Sequence, residues 1–189
     1  MKALLRTGTD AGLDMAILGA VQRVNERQRQ LLAERVVQRS GADLHGLRFA
    51  VWGLAFKPGT DNMREAPSRT VIDELVRRGA TIRAFDPLAM PRACQIWAGR
   101  DEVGFAADPL EAAHGAHALL VLTEWREFRS PDFEALRDAM AEPVVFDGRN
   151  LREPTLLAEL GFEYVGIGRA AQPAPQAAVD ELPRVRLAA

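Results

Sequence analysis

The chain has 189 residues, of which 48% are hydrophobic and 26% are charged, and its formal net charge at pH 7 is −2. These values suit one ordinary globular domain with appendages and give no electrostatic attraction to nucleic acid. No apolar run reaches the ~18 residues of a membrane-spanning helix, and the single cysteine cannot form an intrachain disulfide. We therefore expect a cytoplasmic protein that binds neither nucleic acid nor membrane.

The first predicted element is one long helix over residues 13–39. Ile17, Val21 and Val24 share one face of this helix. The apolar stripe continues with Leu31, Leu32, Val36 and Val37. Such a helix in front of a folded domain is a linker, a packing element or a dimer seam. Because the stripe is longer than one small sheet can cover, we expect a homodimer or an aggregation-prone monomer.

From residue 47 onward, strand-like and helix-like runs alternate. The strand-like runs are residues 48–52, 81–85, 118–122, 144–146 and 164–167, with a weaker one at 103–106. The helix-like runs are residues 68–78, 91–98, 109–114, 132–140 and 153–160. Alternation with continuous apolar strands predicts a parallel sheet covered by helices on both faces. The predicted fold is therefore α/β and Rossmann-like, preceded by the long helix.

This pattern divides the chain into three parts. Residues 1–40 contain the long helix, and residues 41–169 form the α/β domain. In residues 170–189, Ala, Pro and Gln dominate and no periodicity survives, so we expect a disordered tail.

A charged loop follows the first strand and leads to Pro67, which opens the next helix. Lys57 lies in this loop, and Arg149 follows the strand at residues 144–146, so both reach the carboxyl edge, where such sheets bind ligands. Two cations there suit a phosphate, because arginine offers a bidentate fork and lysine a compact charge. The loop fits neither GxGxxG nor a P-loop. The alternative is a solvated Lys57 and an Arg149 paired with Asp147.

Other residues near this edge have two possible roles each. For Arg64, the residue type and its place in a loop favour a solvated arginine over a functional one. Asp61 and Glu65 either orient the loop cations Lys57 and Arg64 or act as acids at a helix N-terminus. Phe56 belongs either to a pocket or to the core.

Two further acids follow strands. For Asp86, a turn role is favoured over the ribose-binding carboxylate of dinucleotide folds, because no glycine fingerprint precedes it. For Glu124, capping of the next segment is favoured over contact with a ligand hydroxyl. The histidines have no metal-like spacing with Cys94 or with one another.

Residues 53–68, GLAFKPGTDNMREAPS, closely resemble the signature of the C-terminal domain of the UDP-glucose 6-dehydrogenase family. Similar segments are Thr123-Glu124-Trp125, residues 146–150 (FDGRN), and Val21, Asn25 and Gln28 on the long helix. The resemblance extends over roughly residues 1–168. It implies that residues 1–40 are the end of the family's connecting helix, which contributes to dimerisation.

The resemblance also implies roles for individual residues. Lys57 and Phe56 would contact the sugar nucleotide, and Arg149 would contact its UDP part. Arg64 would reach across the interdomain cleft to the NAD held by an N-terminal domain. The Pro58 and Met63 form of the loop favours UDP-glucose over related nucleotide sugars.

Members of this family oxidise a sugar C6 alcohol to an acid in two NAD-dependent steps, through a thiohemiacetal on cysteine. Their nucleophile has a Gly-Gly-x-Cys-x-Pro-Lys-Asp context, whereas Cys94 resembles a small buried thiol on an amphipathic helix. We therefore expect the sugar-nucleotide-binding portion of a UDP-glucose 6-dehydrogenase, inactive alone. It would come from a truncated gene, a late start site or a split enzyme whose N-terminal half is encoded separately. The alternative is a non-catalytic UDP-sugar-binding or dimerisation module.

Overall fold

The computed structural model describes residues 2–169. Two helices come first, α1 (Lys2–Asp10) and α2 (Ala16–Ser40). The strands are β1 (Arg48–Trp52), β2 (Thr81–Phe85), β3 (Val103–Phe105), β4 (Ala118–Val121), β5 (Val144–Asp147) and β6 (Glu163–Gly166). The helices between them are α3 (Pro67–Arg77), α4 (Met90–Ile96), α5 (Pro109–Ala113), α6 (Phe133–Ala139) and α7 (Pro154–Glu159), with a 3₁₀ turn at Arg126–Phe128. The predicted tail lies outside the described residues.

All six strands form one parallel sheet in the order β3-β2-β1-β4-β5-β6. This order confirms the predicted Rossmann-like fold. The connections from β1 and β4 leave in opposite directions, so a crevice opens between the carboxyl ends of these two neighbouring strands. Ligands of open α/β sheets bind at this switch point.

Two apolar clusters lie on the two faces of the sheet. On one face, alternate strand residues such as Phe49 and Val51 pack under α2, α3 and α4. On the other face, Trp52 packs under α5, α6 and α7, and its ring stacks on that of Phe128 with centroids 5.3 Å apart. Helices therefore cover both faces of the sheet, as predicted.

The N-terminal region differs in part from the prediction of one helix over residues 13–39. A separate helix, α1, precedes α2, and Gly12, with φ +73°, lies in the turn between them. Asp14 Oδ1 accepts a hydrogen bond of 2.9 Å from the Ala16 amide where α2 begins. Among residues 2–169, no helix is both long enough and apolar enough to cross a bilayer.

Only the second half of α2 packs on the sheet. Leu32, Ala33 and Val36 are buried there, because they face α3 and the strands. Ile17 is 81% exposed and Val24 is 52% exposed in the first half. The described domain therefore covers only part of the apolar stripe.

Candidate functional site

The chain turns sharply as it leaves β1. Gly53 has φ +90°, and a Cβ built on it would lie 2.5 Å from the Cβ of Thr123. Both the backbone angle and this close approach require glycine. The turn sends residues 54–66 along the carboxyl edge, beside the segment that follows β4.

Buried side chains hold the first two peptide groups of this loop. The Asp86 carboxylate accepts hydrogen bonds from the Leu54 amide at 2.7 Å and the Ala55 amide at 3.0 Å. Ser68 Oγ donates to the Leu54 carbonyl and Thr123 Oγ1 to the Ala55 carbonyl, each at 2.6 Å. Because every polar group of both residues has a partner, the loop starts from a fixed position.

Asp86 also forms the turn after β2. Its other oxygen accepts from the amides of Leu88 at 2.9 Å and Ala89 at 2.7 Å, and the Trp125 indole donates to the first oxygen at 3.1 Å. The predicted turn role is thus present, and the same carboxylate joins three segments of the edge. Asp86 is 1% exposed and fully used by the protein, so it is not a ribose acceptor.

The turn after β5 is equally well held. Asp147 is buried and accepts from the amides of Arg149 at 3.0 Å and Leu151 at 2.8 Å. Asn150 has φ +52°, and its amide group bonds both the carbonyl and the amide of Ile167, at 2.9 and 3.0 Å. These bonds compensate for the left-handed backbone of Asn150. They fix the direction in which Arg149 leaves the sheet.

The Arg149 guanidinium crosses the edge towards the loop after β1. Its Nε donates to the Leu122 carbonyl at 2.8 Å, and Nη2 donates to the Phe56 carbonyl at 3.4 Å. Glu124 Oε2 lies 3.1 Å from Nε, but the Nε–H is directed at Leu122, so this pair is held by charge. The carboxylate partner of Arg149 is thus Glu124 and not Asp147. The 3₁₀ turn at Arg126–Phe128 has no side-chain cap, so the prediction that Glu124 caps the next segment was wrong.

The other predicted site residues lie on the loop itself. Phe56 is 45% exposed and does not belong to the core, whereas Met63 is buried. Lys57 and Arg64 are exposed, and neither forms an ion pair with another described residue. The contact between Arg149 and the Phe56 carbonyl brings the two predicted regions together one residue away from Lys57.

The loop acids serve neither of the roles considered from the sequence. Asp61 pairs with Arg92 at 2.8 Å, and Glu65 pairs with Lys2 at 3.0 Å and with Arg29 at 3.1 Å. Hydrogen bonds from Lys2 and then Arg29 lower the pKa of Glu65, and one from Arg92 lowers the pKa of Asp61. These pairs tie the loop to α1, α2 and α4.

Two cavities open beside the loop. The first, of about 350 Å³, lies between α2, the start of α3 and the sheet edge, and Phe56 and Arg149 line it. The second, of about 500 Å³, is lined by Phe56 and Arg64 among others. Lys57 lines neither of them. A larger cavity of about 600 Å³ lies between α2 and α3 and touches none of the predicted site residues.

The prediction that Cys94 is a small buried thiol was wrong. Its side chain is exposed, because the buried face of α4 and its end is formed by Ala93 and Trp97. Among residues 2–169, no three His, Cys, Asp or Glu side chains gather in a way that would hold a metal ion.

Arg152 is a residue of this edge that sequence reasoning missed. Its side chain is 2% exposed, lies with its guanidinium carbon 5.6 Å from the Phe133 ring centroid, and donates to the Phe128 carbonyl. One nitrogen is 4.0 Å from Asp147 Oδ2. Burial lowers the pKa of the Arg152 guanidinium. The arginine therefore supports the turn that carries Arg149 and is not available to a ligand.

Comparison with known proteins agrees with this architecture. UDP-glucose 6-dehydrogenase of Pseudomonas aeruginosa is 43% identical over 174 residues, which are 89% of this chain and 38% of that enzyme. The enzyme of Rhizobium meliloti is 37% identical over 167 residues, with 88% and 38% covered. A UDP-glucose dehydrogenase structure from Pyrobaculum islandicum superposes with a TM-score of 0.69 at 34% identity, over 79% of this chain and 32% of that one.

The matched region is the C-terminal portion of these enzymes, and the chain spans about 38% of the length of the two bacterial relatives. The family model described as "UDP-glucose/GDP-mannose dehydrogenase family, UDP binding domain" matches residues 50–154. The chain therefore belongs to the UDP-glucose/GDP-mannose dehydrogenase family.

Proposed function

We propose that this chain is the sugar-nucleotide-binding portion of a UDP-glucose 6-dehydrogenase, in which Lys57 and Arg149, with Phe56, hold the UDP part of the substrate. One observation carries the proposal: Arg149 lines a cavity at the carboxyl edge and touches the carbonyl of Phe56. This is the place where open α/β sheets bind nucleotides.

The chemistry of these side chains suits a diphosphate bound to a sugar and a base. Arg149 uses Nε and Nη2 within the protein, which leaves Nη1 without a partner among the described residues. A guanidinium fixed in this way loses little entropy when it binds a phosphate oxygen. Lys57 adds a compact charge from an exposed position on the loop, and the half-exposed ring of Phe56 offers a flat apolar surface.

Among the described residues, Arg64 is the one that we propose to contact NAD. The loop after β1 lacks the glycine fingerprint of a dinucleotide site, and the Asp86 carboxylate has no free oxygen for a ribose. We infer that NAD is held mainly by an N-terminal half of the enzyme. Arg64, exposed and beside the second cavity, would reach it from this side. NAD would accept the hydride in the intact enzyme.

We propose two protein partners for the chain, a second copy of itself and an N-terminal half. The open half of α2, with Ile17 81% exposed, supports homodimerisation. A separately encoded N-terminal half would complete the enzyme, which we place in the cytoplasm. A non-catalytic UDP-sugar-binding or dimerisation module is the second candidate, since Cys94 lacks the Gly-Gly-x-Cys-x-Pro-Lys-Asp context of the family nucleophile.

Titration calorimetry with UDP tests the proposed site. Wild type should bind, Arg149→Ala should bind more weakly, and Arg64→Ala should bind as wild type does. An Arg149→Ala variant with unchanged affinity would show that UDP binds elsewhere.

A further inference from the structure

The middle of α2 carries six consecutive polar residues, numbers 25–30, between its two apolar segments. Solvent alone would explain such a run on an exposed helix. Three of these residues, however, line the 350 Å³ cavity together with Phe56 and Arg149. They are Asn25, Gln28 and Arg29. The helix thus supplies a polar wall that faces the sheet edge.

The charged groups that line this cavity are all positive. Its described lining includes two guanidinium groups, those of Arg29 and Arg149, and two side-chain amides, but no carboxylate. Each guanidinium is paired with an acid outside the lining: Glu65 for Arg29 and Glu124 for Arg149, both at 3.1 Å. These acids orient the arginines, and the cavity between the arginines remains suited to an anion.

The apolar part of the lining includes Leu32, Val71 and Leu122. A flat ring can pack on apolar side chains while amide groups beside it bond its polar edge. The volume of about 350 Å³ falls within the usual range of small-ligand sites. Lys57, by contrast, does not line this cavity.

We propose that the α2 wall is the second half of a nucleoside diphosphate site. Arg29 shares the diphosphate with Arg149, and the amides of Asn25 and Gln28 bond the polar edge of the base. This inference rests on the proposed function, but the cation that binds the diphosphate together with Arg149 is Arg29 on α2, inside the cavity. Lys57 on the loop contacts the diphosphate from the outer side.

Glu65 is the positioning residue of this arrangement. It is one of the two non-glycine residues with positive φ among residues 2–169, at +58°. A left-handed backbone is costly for a residue with a side chain, so contacts must compensate. Its carboxylate bonds Arg29 and Lys2, which joins the loop to α2 and holds Arg29 at the cavity wall.

Calorimetric titration of the 189-residue chain with UDP and CDP tests the α2 wall. Arg29→Gln should weaken binding of both nucleotides by about tenfold or more, because a charge-assisted bond to the diphosphate is lost. The double variant Asn25→Ala/Gln28→Ala should instead reduce the ratio of UDP affinity to CDP affinity, because uracil and cytosine differ in their polar edges. A merely structural role would not move that ratio.

Matched controls separate direct contact from other effects. Arg27→Gln removes the same charge from an exposed position of α2 outside the cavity and should bind UDP as wild type does. Lys2→Gln removes the other partner of Glu65 and should have a smaller effect than Arg29→Gln. If Arg29→Gln does not fold, Arg29→Lys keeps the charge and should show intermediate affinity.

The outcomes distinguish this inference from the proposed function. Two results would overturn the α2 wall but not the proposed function, provided that Arg149→Ala is impaired. One is full UDP affinity in Arg29→Gln. The other is a loss of affinity in Arg27→Gln as large as that in Arg29→Gln. An unchanged ratio of UDP to CDP affinity in the double amide variant would remove the base-reading role. A wild type that binds no UDP would overturn both proposals.

Discussion

Arg149 Nη2 donates to the carbonyl oxygen of Phe56 at 3.4 Å, across 93 positions of sequence. This bond joins the loop after β1 to the turn after β5, although β4 lies between these two strands in the sheet. The two regions with the proposed phosphate-binding residues therefore form one surface. That surface depends on the buried carboxylates of Asp86 and Asp147 beneath it.

Replacement of Asp86 by asparagine should destabilise the domain by about 3 kcal/mol. The carboxylate accepts hydrogen bonds from Leu54, Ala55, Leu88, Ala89 and Trp125. An amide NH₂ in place of one oxygen would face donors and leave them unpaired. Urea unfolding measures the change. Asp101→Asn, at an exposed position, is the control and should change stability by less than about 0.5 kcal/mol.

The single tyrosine of the chain, Tyr164, should not ionise in the native protein at the pH where free tyrosine does. Burial, and then the neighbouring Asp147, raises the pKa of its phenol above the ordinary value of 10.0. Below pH 10.0, the native and the unfolded protein both keep the phenol proton, so the contribution of Tyr164 to the free energy of unfolding is complete. As pH rises above it, the unfolded chain loses the proton first, so stability falls.

Phenolate absorbance measures this pKa directly. The native protein should show no phenolate near pH 10, whereas the urea-unfolded protein should titrate there. Tyr164→Phe should remove both the signal and this part of the alkaline loss of stability. Native titration at the ordinary pKa would contradict the burial argument.

Ile17→Glu should shift the chain towards a monomer. Ile17 is 81% exposed on the apolar face of α2, and a charge there cannot be buried against a second copy without a penalty. Light scattering over a concentration series measures the association. Gln30→Glu, at an exposed position on a different face of α2, adds the same charge and should not change it. A wild type that stays monomeric at high concentration would contradict the proposed dimer.

The 189-residue chain alone should not produce NADH from UDP-glucose and NAD. Cys94 lacks the Gly-Gly-x-Cys-x-Pro-Lys-Asp context of the family nucleophile, and the sequence contains no glycine fingerprint for the cofactor. The absorbance of NADH measures the reaction, with the Pseudomonas aeruginosa enzyme as positive control. Any rate clearly above that of a blank would contradict this expectation.

Much of the fold could be predicted from the sequence because strand and helix periodicities are strong between residues 47 and 167. The predicted strands at residues 48–52 and 81–85 match β1 and β2, and the boundaries of the later strands and helices shift by at most two residues. The long helix was predicted to begin at residue 13, but α2 begins at Ala16. Helix α1 was missed, because residues 2–10 include two threonines and a glycine and show no long apolar stripe.

The site was predicted less completely, because its acids act over long range. Besides the amides of its own turn, Asp86 binds residues 31 to 39 positions away. Glu124 pairs with Arg149, 25 positions away, and Glu65 pairs with Arg29, 36 positions away, and with the more distant Lys2. No local spacing indicates such pairs. The Thr123-Glu124-Trp125 segment was the available signal. Thr123 and Trp125 donate hydrogen bonds to Ala55 and Asp86, and Glu124 forms an ion pair with Arg149, so the whole segment fastens the edge.

The central claim is that Lys57 and Arg149 together hold UDP. The most direct measurement is calorimetric titration of UDP against wild type, Arg149→Lys and the double variant Lys57→Ala/Arg149→Ala. Loss of each charge-assisted bond costs about 1.5–3 kcal/mol, so the double variant should lose at least about a hundredfold in affinity. Arg149→Lys should also bind more weakly, because it keeps the charge but not the fork. Equal UDP binding by wild type and the double variant would contradict the account.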